Sequence, residues 1–186
     1  MKNLILLLLT ISLFSCSSDS KDETEPIVED NFIRAADMSY LPLIESEGTV
    51  YKNNNISENA LTTLKNAGCN TIRIRLWKNP VNGRSGLNEV KQLARQARQA
   101  GLRVWLTVHY SDDWADPGVQ TTPEEWKKLS FTDLKAEVEK YTGTIILEIK
   151  PDIIQIGNEI NSGLLWPQGN LMSNEQQCIA ILSAAS

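Results

Sequence analysis

The sequence is poor in the residues that build metal sites and covalent cross-links. It has one histidine, His109, and three cysteines, Cys16, Cys69 and Cys178. Three cysteines make no disulfide framework, and their spacings match no zinc motif, so Cys69 and Cys178 are expected as free buried thiols. Basic runs are missing too. Eighteen Lys and Arg against 23 Asp and Glu give a net charge of −5, which argues against nucleic acid bound through its phosphates. No glycine-rich phosphate loop follows any expected strand, which lowers a nucleotide-binding reading. No apolar run reaches the roughly 20 residues that cross a bilayer. What is present is ordinary for a folded domain: 186 residues, 41% hydrophobic, too apolar for intrinsic disorder and about one domain long.

The first residues read as an address. Met1-Lys2-Asn3 carries a positive charge, and Leu4 to Phe14 is apolar apart from Thr10 and Ser12, the pattern of a signal peptide over residues 1–15. Leu13-Phe14-Ser15-Cys16 resembles a bacterial lipobox, which implies lipidation at Cys16. Residues 16–31 hold six acids (Asp19, Asp22, Glu23, Glu25, Glu29, Asp30) and one base, Lys21. Such a segment stays solvated and serves as a tether. The expectation is an exported chain, lipid-anchored at the outer membrane and cell surface, touching the membrane through its anchor alone.

From residue 32 the pattern alternates between strands and helices. Phe32 to Ser39 is a short strand-like segment ending in Asp37. A helix capped by Ser57 is expected to run to Ala67, with Gly68 as its stop. Cys69 to Trp77 alternates with period two, as a strand does. Asn88 to Ala100 carries Val90, Leu93, Ala94 and Ala97 on one helical face. Arg103 to Tyr110 is the next strand. Thr122-Pro123-Glu124-Glu125 combines a capping box with a first-turn proline, predicting a helix onward to Lys150, weakened by Gly143. Pro151 to Glu159 is a fourth strand, and Asn174 to Ala185 a further helix.

This order specifies an α/β fold with parallel strands. Ile72, Ile74 and Leu76 share one strand face, while Thr71, Arg73, Arg75 and Trp77 share the other. Val104, Leu106 and Val108 likewise oppose Trp105, Thr107 and His109. Doubly wound sheets bury both faces under helices and read as continuous apolar runs. One apolar face and one polar face fit a (β/α)8 TIM barrel better, with the active site at the C-terminal strand ends. Those ends carry Asp37, Arg75, Trp77, His109, Tyr110, Asn158 and Glu159. Carboxylates move protons, planar rings stack on sugars, and amides hold hydroxyls. Glycoside cleavage needs an acid that protonates the leaving oxygen and a second carboxylate across the bond, which singles out Glu159.

Ala36-Asp37-Met38-Ser39-Tyr40, Asn70 to Trp77, the string His109-Tyr110-Ser111-Asp112-Asp113-Trp114-Ala115-Asp116-Pro117-Gly118 and Gln155 to Ile160 together resemble glycoside hydrolase family 53. The resemblance runs from about Ile33 to the last residue. It implies an arabinogalactan endo-β-1,4-galactanase of retaining mechanism, with β-1,4-galactan or arabinogalactan oligosaccharides as partners. It implies Glu159 as acid/base, Asn158 on the sugar 2-hydroxyl, Arg75 beside the nucleophilic carboxylate, and His109 in the site floor. His109 is equally readable as a packed structural residue. Asp37, Trp77, Tyr110, Asp112, Trp114 and Trp166 are the expected substrate contacts, whereas Trp105 and Trp126 read as packing. Asp112, Asp113 and Asp116 lack the spacing and glycine of a calcium loop. No metal or other cofactor is expected here, since the family's calcium site belongs to later loops.

Barrels of this class take about 250 residues, and only the first four βα units fit before Ser186. The expectation is therefore the N-terminal half of a glycoside hydrolase barrel, residues 32–186 of a truncated chain. It lacks the nucleophile of the seventh strand and is inactive alone. The alternative is a surface glycan-binding lipoprotein without catalysis.

Overall fold

Four parallel strands lie side by side in one sheet: β1 (Ala35–Asp37), β4 (Thr71–Leu76), β5 (Arg103–Val108) and β6 (Ile153–Ile156), adjacent in that order. The computed structural model describes residues 32–186, so the expected signal segment (1–15), the expected tether (16–31) and Cys16 lie outside the described residues. The strands are in register through Ala35 opposite Thr71, Thr71 opposite Arg103, and Trp105 opposite Ile153. Helices separate them: α2 (Ala60–Asn66), α3 (Leu87–Gln99) and α4 (Phe131–Ile149), with α5 (Glu175–Ala184) after the last strand. Four βα units are therefore present, as the alternation predicts.

The apolar strand face forms the core. Ile72, Ile74, Leu76, Val104, Leu106 and Val108 are buried with Val90, Leu93, Ala94 and Ala97 of α3 and Leu134, Val138 and Ile145 of α4. Each large side chain so buried contributes roughly 1.5–3 kcal/mol of transfer free energy. The opposite face holds Thr71, Arg73, Arg75 and Thr107, whose polar groups must find partners at the strand ends. Cys178 is buried and Cys69 half-buried, both free thiols.

Two local expectations are corrected by tertiary contacts. Ser57 does not cap a helix: it pairs with Lys52 in a hairpin of β2 (Lys52–Asn53) and β3 (Ile56–Ser57), turned by Asn54 and Asn55 at positive φ. Asn59 caps α2 instead, its Oδ1 accepting from the Leu61 and Thr62 amides. Thr122-Pro123-Glu124-Glu125 opens only a single 3-10 turn over Glu124–Trp126. The Thr122 hydroxyl donates to the Trp166 carbonyl, 2.8 Å away, and so does not cap. Ser130 starts α4, its Oγ accepting from the Asp133 amide at 3.2 Å. Gly143 sits within α4 without breaking it. A short helix, α1 (Leu41–Ser46), and the hairpin fill the stretch between β1 and α2.

Candidate active site

The C-terminal strand ends collect most of the candidate residues. At the end of β6, Gly157 has φ +80° and Glu159 has φ +49°, a double departure that ends the strand sharply. A β-carbon on Gly157 would stand 2.4 Å from Ile160 Cγ2, so the turn needs glycine. Asn158 is buried and tied on both sides. Its Oδ1 accepts from Arg73 Nη2 at 2.9 Å, and its Nδ2 donates to the Ala115 carbonyl at 2.7 Å. Arg73 also pairs with Asp37 at 2.5 Å, linking β1, β4 and β6. Burial alone would raise the Asp37 carboxyl, but hydrogen bonds from Ser39 and Arg73 outweigh it and hold the group below its ordinary value. Arg73 belongs to this site, although the sequence singled out Arg75. The signal for it was its inward place on β4. Glu159, the residue after Asn158, is exposed.

Arg75 is 4% exposed and makes no ion pair among the described residues. Its guanidinium lies 4.3 Å from the Tyr40 ring, 4.4 Å from Trp114 and 4.9 Å from Trp77. Its Nε donates to Ser85 Oγ at 3.1 Å. A buried unpaired cation is costly, and three cation–π contacts, each roughly 0.5–2 kcal/mol, offset part of that cost.

His109 packs edge-on to Trp77 and Trp114, with centroids 6.2 and 5.8 Å away. Its Nδ1 accepts from Trp77 Nε1 at 3.3 Å and from the Ala115 amide at 3.2 Å. Both partners are donors only, so the neutral ring carries its proton on Nε2. Burial, then the charges of Arg75 and Arg73, lower its pKa to about 4. His109 is therefore a buried, neutral ring whose Nε2 has no hydrogen-bond partner among the described residues.

Trp77 and Trp114 lie 5.6 Å apart, with Trp114 nearly half exposed. Other expected contacts lie elsewhere. Tyr110 has φ +53°, which breaks strand alternation. Its ring is buried against Tyr141, and its hydroxyl meets Thr142 of α4 at 2.7 Å. Burial pushes that phenol up to about 12. Asp112 shapes its loop, accepting from the Asn79 and Glu124 amides at 3.0 and 2.8 Å. Asp113 and Asp116 likewise accept from the Trp114 and Gly118 amides. Trp166 is half-buried in the loop after β6, its Nε1 donating to the Ser162 carbonyl at 3.1 Å. Trp126 is packed in the core, as expected.

Residues 33–186 match the model of glycosyl hydrolase family 53. The chain belongs to this family. It is 43% identical over 142 residues to a probable arabinogalactan endo-β-1,4-galactanase A of Aspergillus terreus, covering 73% of this chain and 41% of that protein. The arabinogalactan endo-β-1,4-galactanase A of Aspergillus niger is 41% identical over the same shares. The catalytic domain of this family from Ignisphaera aggregans superposes with a TM-score of 0.80 at 35% identity, covering 86% of this chain and 48% of that one. A fungal β-1,4-galactanase gives 0.79 at 36% identity, covering 82% and 47%. The chain thus spans about two fifths of the curated relatives it matches. Its four βα units are part of a (β/α)8 barrel.

Proposed function

We propose that residues 32–186 supply the acid/base half of a retaining endo-β-1,4-galactanase site. Glu159 protonates the leaving glycosidic oxygen and later activates water. Asn158 holds the sugar 2-hydroxyl with its remaining amide hydrogen, and Trp77 and Trp114 form the stacking platform. The observation that carries this reading is an exposed Glu159 directly after an Asn158 locked by Arg73. The substrate comes from the names of the galactanase relatives, and the chemistry is that of carboxyl groups, without a cofactor.

Retaining cleavage needs a second carboxyl about 5–5.5 Å from the first. Two candidate carboxyls, Asp37 and Asp112, are engaged by Arg73 and Ser39 and by two backbone amides respectively. Arg75 waits for an anion. The 186-residue chain is therefore expected to bind galactan and release no new reducing ends. A purely glycan-binding role is the second reading, favoured by the exposed Trp114. Both are tested with purified chain, by a reducing-end assay on β-1,4-galactan and by tryptophan fluorescence with galacto-oligosaccharides. Cleavage that disappears in Glu159→Gln would show that the chain holds its own second carboxylate. No fluorescence change with oligosaccharide would remove galactan as the ligand.

We also infer export with a lipid anchor on Cys16, at the outer membrane and cell surface. The Leu4 to Phe14 run and Leu13-Phe14-Ser15-Cys16 support this. Cys16→Ala should abolish labelling by a palmitate analogue, and persistent label would exclude the anchor.

A further inference from the structure

We infer that Gln120 is a positioning residue for the Asn158–Glu159 turn, an inference that rests on reading Glu159 as the proton donor. Gln120 lies in the loop between β5 and α4 and is 1% exposed. Its Nε2 donates to three backbone carbonyls: Asn158 at 2.8 Å, Asp116 at 3.0 Å and Glu159 at 3.3 Å. Three acceptors around one atom fix the amide's orientation. Its Oε1 is buried without a protein partner among the described residues. An apolar side chain of similar shape would fill the space without that uncompensated oxygen. The amide is therefore there for its N–H groups.

Those hydrogens reach a strained place. Glu159 has φ +49°, a conformation costing a non-glycine residue roughly 1–3 kcal/mol unless its surroundings over-determine it. The two loops are also joined by the Trp166 amide on the Gln120 carbonyl at 2.7 Å and by Ser162 Oγ on the Pro117 carbonyl at 2.9 Å. Among the described residues the Asn158 carbonyl is held by the Gln120 side chain alone, whereas the Glu159 carbonyl also accepts from the Asn161 amide at 2.9 Å. Without it the turn relaxes toward commoner backbone angles and re-aims the Glu159 carboxylate. A misplacement of about 1 Å can cost about 100-fold in rate.

The test is nuclear magnetic resonance on the isotope-labelled 186-residue chain between pH 5.5 and 8.5. Gln120→Met removes the donors and keeps the shape. The Asn158 and Glu159 backbone signals should shift or split, while the Trp166 amide and the Ile72 to Leu76 strand keep their exchange protection. Gln120→Glu supplies a donor only while its buried carboxyl is protonated. Wild-type-like Asn158 and Glu159 signals on the acid side should give way to the Gln120→Met pattern as pH rises. This recovery also decides the matter if Gln120→Met fails to fold. Unchanged Asn158 and Glu159 signals in folded Gln120→Met, or in Gln120→Glu across the whole pH range, would overturn the inference. So would loss of strand protection with no recovery in Gln120→Glu on the acid side. Oligosaccharide binding by the wild-type chain is measured separately, so failure to bind galactan would leave the role of Gln120 in the turn intact.

Discussion

Lowering the pH from 7 to 4 should cost this chain about 3 kcal/mol through His109 alone. The ring is buried, its Nδ1 already accepts two N–H groups, and Arg75 and Arg73 stand close enough to repel a second charge. Its pKa falls to about 4 in the folded chain, against an ordinary value of about 6.5. Because the folded value is the lower one, the unfolded chain takes up the proton first on acidification. The contribution of His109 is complete above about pH 6.5 and is lost as pH falls toward 4. Below that both states are protonated and the dependence ends. At about 1.4 kcal/mol per pH interval the whole gap is worth about 3.4 kcal/mol, and about 3 of it is lost by pH 4, where half of the folded rings are protonated. His109→Gln keeps an oxygen for the Trp77 and Ala115 donors and does not titrate. Urea unfolding at pH 7, 6, 5 and 4 should therefore show the wild-type chain losing about 3 kcal/mol relative to the variant. As the only histidine, its ring resonance needs no assignment. Titration near 6.5, or parallel stability curves for the two proteins, would refute the buried-neutral description.

Two further substitutions probe how the site is supported. At Gly163, φ is +93° and a β-carbon would sit 2.1 Å from the Gly169 carbonyl oxygen and 2.6 Å from the Leu171 amide. Gly163→Ala should destabilise by at least about 3 kcal/mol in chemical unfolding, and a loss under about 1 kcal/mol would mean the loop opens freely. Ser130→Ala should lower stability by about 1 kcal/mol, since Ser130 caps α4; no change would return the helix start to Thr122.

Several features of this protein follow from sequence alone, because they rest on neighbours two to four residues apart. The alternation of Ile72, Ile74 and Leu76 with Arg73 and Arg75 fixed which strand face meets the helices. The spacing of Val90, Leu93, Ala94 and Ala97 fixed the buried face of α3. Once the strands were placed, Asn158 and Glu159 fell at a strand end, where barrel chemistry lies. Tertiary structure decided where the hydrogen bonds and strained angles go. Thr122 has the composition of a helix cap, yet its hydroxyl finds the Trp166 carbonyl 44 residues on. Tyr110 follows His109 just past the end of β5, yet φ of +53° turns its ring away from the site. The Arg73 link to Asn158 spans 85 residues and the Gln120 link 38, and no periodic signal encodes such a choice. Periodicity reports the side of an element that is buried. Which buried polar group satisfies which other is settled only when distant loops meet, since each must find a partner within hydrogen-bond reach once water is gone.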